Sequence, residues 1–123
     1  LGLEKKGDSW NKGVEQEHLN NVEGASLHIT GYRANEGPGI EFLQYLFPGP
    51  GRRYPGDSKP NDLWHWQTTL VVADAERLYD DFLHSSYRFV SSDLVHLQTK
   101  EGKLSKAFIV RDPDGHAMLI VEK

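Results

Sequence analysis

The chain has 123 residues, 37% of them hydrophobic, a formal net charge of −4 and no cysteine. That length fits one compact domain able to bury roughly two-thirds of its unfolded surface, and the missing thiols exclude disulfide scaffolds, zinc–thiolate sites and cysteine nucleophiles. The acidic balance has the wrong sign for a general nucleic-acid surface, and no apolar run reaches the ~20 residues of a membrane helix, so a soluble cytoplasmic protein with neither nucleic acid nor membrane as partner is expected.

In chain order, residues 4–24 are polar, carry Gly7, Gly13 and Asn20-Asn21, and predict a short strand followed by a mobile connection, with Trp10 as the large apolar anchor. From Ala25 to Phe47, alternation around Asn35-Glu36-Gly37-Pro38-Gly39 predicts an antiparallel hairpin. Breakers from Pro48 to Asp62 predict an extended linker. Leu63 to Val72, rich in Trp, Thr and Val, predicts a strand. Asp74 is suited to cap a helix carrying Ala75, Leu78, Tyr79, Phe82 and Leu83 on one side, closed by Ser85-Ser86. Strands are then expected at Tyr87–Val90 and Ser91–Leu97, a polar turn at Lys100–Lys103, and a final hairpin folded at Asp112-Pro113-Asp114-Gly115. The final hairpin has a twin in Ser26 to Tyr45, which predicts two similar modules with a functional site between them.

Val110-Arg111-Asp112-Pro113-Asp114-Gly115-His116, together with Gln67-Thr68-Thr69-Leu70-Val71-Val72-Ala73-Asp74 running into the helix, resembles the vicinal oxygen chelate superfamily. That superfamily includes glyoxalase I, extradiol dioxygenases, methylmalonyl-CoA epimerase, and the fosfomycin and bleomycin resistance proteins. The resemblance implies an α+β fold in which two β-α-β-β-β modules pair as a half-open barrel. Residues 1–47 would form a first module lacking its first strand and helix, 48–62 a linker, and 63–123 a complete second module.

It also implies a divalent metal, with Fe, Mn, Ni, Zn and Mg all open and a metal-free protein the alternative. Residue by residue, it places ligands at Glu41 and Gln67, and puts Leu119 where relatives commonly carry a ligand Glu. The first implied function is a metal-dependent lyase, isomerase or ring-cleaving enzyme acting on a small substrate with neighbouring oxygens, the metal serving as Lewis acid. The second is a non-catalytic protein that sequesters a small molecule. The third is an incomplete module that completes itself by pairing with another copy; a homodimer is the expected partner state.

Each residue also has a plainer reading. Glu41 is costly in an apolar strand unless paired or on the solvent face, and Gln67 can simply bond across the sheet. His65 and His116 are the catalytic candidates, since an imidazole suits proton transfer, yet both also fit as strand and turn residues. Arg111 can fork onto a carboxylate or phosphate or sit solvated at a strand end. Tyr45, Trp66 and His28 are candidates to contact substrate, although strand aromatics are commonly core.

Overall fold

A computed structural model describes residues 2–98, 100 and 102–123. Leu1, Thr99 and Glu101 lie outside the described residues, so the turn expected over Lys100–Lys103 is described only in part. The chain forms two compact units, 1–52 and 53–123. Among the described residues no helix is long and apolar enough to cross a membrane.

The first unit is an antiparallel sheet in the order β1-β2-β3, built from β1 (Glu4–Lys12), β2 (Ser26–Arg33) and β3 (Ile40–Phe47). Its β2–β3 hairpin is the one the alternation predicts. Residues 4–24 depart from expectation, because the strand is nine residues long and a helix, α1 (Val14–Asn20), replaces the mobile connection. Gly13, at φ 100°, turns the chain into the helix, and Asn21 in the left-handed conformation ends it, donating its backbone N–H to Glu17 O. The two asparagines that read as breakers therefore mark a helix end. Trp10 is no core anchor: it is 69% exposed. Leu27 and Ala25 are buried instead.

The second unit joins β4 (Gln67–Val72), α2 (Ala75–Leu83), β5 (Arg88–Phe89), β6 (Val95–Gln98), β7 (Leu104–Arg111) and β8 (Ala117–Glu122). Its sheet order is β4-β8-β7-β5, with β6 also pairing β7. The β4–β8 pair is parallel and the β7 pairs are antiparallel. This is the expected β-α-β-β-β sequence, with one edge position shared by two short strands. Asp74 caps α2 by accepting from Arg77 N at 2.9 Å, and Glu122 Oε2 accepts from Ala75 N at 3.0 Å, so two free amides of the first turn are satisfied.

The helix covers one sheet face. Ala75, Phe108, Val110 and Ile120 are fully buried there, packed by Leu70, Val72, Leu78, Tyr79, Phe82, Phe89, Leu94 and Met118. Tyr79, Phe82 and Phe89 surround Phe108 at ring separations of 5.3, 6.0 and 5.7 Å. Alternation along the strands puts Gln67, Thr69 and Leu119 on the opposite face. Neither sheet is closed.

Two boundaries differ from the sequence reading. The strand expected from Leu63 starts at Gln67, because Asp62 holds a turn in front of it: its Oδ2 accepts from Lys59 N at 2.7 Å and its carbonyl from His65 N at 3.0 Å. The breaker-rich stretch is also not a linker throughout, since from Arg53 onward it belongs to the second unit. Arg88 Nη2 donates to Gly56 O at 2.7 Å and Arg111 Nη2 to Ser58 O at 3.3 Å, holding that stretch on the sheet.

Candidate functional site

The most developed arrangement of polar and aromatic groups surrounds the β7–β8 turn. Asp112 organises the turn with both carboxylate oxygens. Its Oδ1 accepts from Asp114 N at 3.0 Å and His116 N at 2.9 Å, while Oδ2 lies 3.2 Å from His116 Nδ1. A carboxylate only accepts, so Nδ1 carries the proton in that contact and Nε2 is left for other partners. Gly115, at φ 98°, completes the turn. Any Cβ there would lie 2.6–2.8 Å from Tyr54, so glycine is required both by conformation and by the close approach of the tyrosine.

Tyr54 is gripped from below. Arg111 is only 5% exposed, with its Cζ 5.0 Å from the Tyr54 ring centre, Nη1 donating to Gly115 O at 2.6 Å and Nη2 to Ser58 O. The expectation of a solvated strand end at Arg111 is therefore overturned: its guanidinium is a buried clamp that joins the turn to the 53–58 stretch. His116 sits between two rings, 5.0 Å from Trp66 and 6.5 Å from Tyr54. Trp66 is 55% exposed, so one side of the indole stays open beside the imidazole.

His65 and Gln67 approach one another at 3.4 Å (Nε2 to Oε1), and His65 Nδ1 is enclosed with no hydrogen-bond partner. Among the sequence candidates the structure thus brings His116 and Arg111 to Tyr54 and Trp66 to His116, with His65 and Gln67 as a pair of their own. Tyr54 and Asp112 complete the group; the sequence reading missed Tyr54 because it stands among prolines and glycines, and took Asp112 for turn chemistry alone.

In the first unit the ladder separates the remaining candidates. Glu41 faces Gly31 across the β2–β3 pair and shares its sheet face with Leu43 and Tyr45; His28 points from the other face. His28 Nε2 lies 2.7 Å from Asp8 Oδ1, and its ring stacks on Trp10 at 4.3 Å. Asp8 also accepts from Thr30 Oγ1 at 3.0 Å and pairs with Lys5 at 2.6 Å. The Lys5 ammonium foremost, then the His28 and Thr30 donors, holds the Asp8 carboxyl down at about 2.

Among the described residues no three His, Cys, Asp or Glu side chains come together as a metal-binding group. Leu119 stands opposite Thr69 on the face that carries Gln67. A leucine side chain coordinates nothing, so of the positions the resemblance implies the second unit offers Gln67 and the first unit Glu41.

A crystal structure of a glyoxalase family protein from Bacillus cereus superposes on 98% of this chain and 78% of its own, with a TM-score of 0.79 at 16% identity. The chain has the glyoxalase fold. No family model matches the sequence, and no curated protein matches it significantly. The fold agrees with the one that the vicinal oxygen chelate resemblance implies, while the reaction is not carried by the fold.

Proposed function

We propose that this glyoxalase-type protein binds a small planar molecule against Trp66, with His116 Nε2 accepting a hydrogen bond from the ligand. The observation that carries this reading is the Trp66–His116–Asp112 array: an exposed indole beside an imidazole whose other nitrogen is occupied by a carboxylate. Rigid placement of a few polar groups beside aromatic surface is what small-ligand sites require. Tyr54, Arg111 and Gly115 supply the rigidity. Binding, rather than turnover, is the function this geometry supports best.

Catechol is a suitable probe, being planar with two neighbouring hydroxyls; veratrole, with both oxygens methylated, cannot donate. Saturable quenching of tryptophan fluorescence by catechol is expected, weaker with veratrole. Loss of stacking worth ~0.5–1.5 kcal/mol in Trp66→Leu should weaken binding about two- to tenfold. Quenching that is absent, or unchanged in Trp66→Leu and His116→Leu, would overturn the proposal.

The metal-dependent enzyme, with Glu41 and Gln67 as ligands, stands as the second reading. It is favoured by one observation, that the Glu41 carboxylate makes no hydrogen bond or ion pair among the described residues. A homodimer belongs to the same proposal and is supported by the exposed apolar residues of β3, Phe42, Leu43, Leu46 and Phe47. Sedimentation as a monomer at high protein concentration would count against it.

A further inference from the structure

The turn end of the first unit holds an open recess of about 540 Å³, lined by Lys6, Gly31, Tyr32, Arg33, Gly39, Ile40 and Glu41. Its charges are unevenly used. Lys6 Nζ is 2.5 Å from Glu4 Oε2, an exposed ion pair. The Arg33 guanidinium and the Glu41 carboxylate have no ion pair or hydrogen bond among the described residues, with each other or with anything else.

Register explains why they stay apart. Glu41 lies directly opposite Gly31, and Arg33 follows two residues later, so the pair stands on one sheet face as diagonal neighbours about 7–8 Å apart at the backbone. The floor between them is glycine. A Cβ at Gly31 would meet nothing within 4 Å, and one at Gly39 would meet Tyr32 O at 3.3 Å and touch Arg33 Cγ and Nε at 3.4 Å. The next pair along the same face is Ile29–Leu43, and Leu43 is 45% exposed. A cation, a bare floor, an anion and then an apolar step therefore follow one another.

We infer that this recess binds an α-amino acid with an apolar side chain. The Arg33 fork receives the carboxylate, Glu41 receives the ammonium, and the side chain lies over Gly31 toward Leu43. One molecule bearing both charges satisfies both groups at once, which neither an anion nor a cation alone can do. The inference is independent of the Trp66 site, and it gives Glu41 a different partner from the metal reading.

The probe is L-phenylalanine, titrated calorimetrically into the whole protein in the presence of EDTA, with phenylacetate and phenethylamine as single-charge controls. L-Phenylalanine is expected to bind one to one, and each control at least tenfold more weakly. Arg33→Met and Glu41→Gln, both at exposed positions, should each weaken binding at least fivefold. Gly31→Val, whose branches fill the floor, should abolish it while the far-ultraviolet spectrum is retained. Absence of L-phenylalanine binding, a control that binds as tightly, or undiminished binding in Arg33→Met would each overturn the inference. Catechol quenching through Trp66 serves as the internal control, because failure at the recess leaves that signal intact.

Discussion

Gly115→Ala tests whether the turn of the second unit is locked by Tyr54. The substitution carries two separable costs. An alanine at φ 98° leaves the allowed basins of an L-residue, which costs about 1–2 kcal/mol. Its methyl would also sit 2.7 Å from Tyr54 Cβ and 2.6 Å from Cγ, atoms too close to the backbone to swing away, and such overpacking costs about 1–3 kcal/mol. The single variant should therefore lose about 2–5 kcal/mol. In a Tyr54→Gly background, which removes Cβ as well as the ring, the second cost disappears and only the backbone strain remains, so the two substitutions should couple by about 1–3 kcal/mol. Urea denaturation followed by tryptophan fluorescence measures this. A Trp10→Phe background confines the signal to Trp64 and Trp66, both in the second unit. Additive effects of Gly115→Ala and Tyr54→Gly would refute the argument, and with it the claim that Tyr54 is fixed against the turn.

Two further outcomes follow from the charges and donors. Because the Asp8 carboxyl is depressed from its ordinary 3.8 to about 2, its ion pairing stabilises the fold above pH 3.8 and is lost as pH falls toward 2. The difference in melting temperature between the native protein and Asp8→Asn should accordingly shrink across that window; a difference that stays constant would show that the Lys5–Asp8–His28 contacts contribute no pH-dependent stability. Titration of EDTA-stripped protein with Mn²⁺, Ni²⁺ and Zn²⁺ separates the two readings: one-to-one binding weakened by both Glu41→Ala and Gln67→Ala would establish the metal-dependent reading, and catechol quenching that persists in EDTA with no metal bound would establish the metal-free one.

What the sequence determined by itself is local. Alternation and the Asp-Pro-Asp-Gly turn set the β7–β8 hairpin, Asp74 set the start of α2, and the spacing of Leu78, Tyr79 and Phe82 set the face that packs on Phe108. These signals act over a few residues, so the module order, and through it the fold, was legible. Helix α1 escaped because seven residues with Val14 and Leu19 exposed carry no apolar period, and its boundaries rest on the backbone angles of Gly13 and Asn21. The candidate sites depended on tertiary structure for a different reason: their members meet only through pairing and packing. Register alone put Glu41 and His28 on opposite faces and left Arg33 diagonal to Glu41. Only folding of the 53–66 stretch onto the β7–β8 turn brought Tyr54 over Arg111 and Trp66 beside His116, because a contact between residues some fifty positions apart leaves no period, cap or turn signal in the sequence.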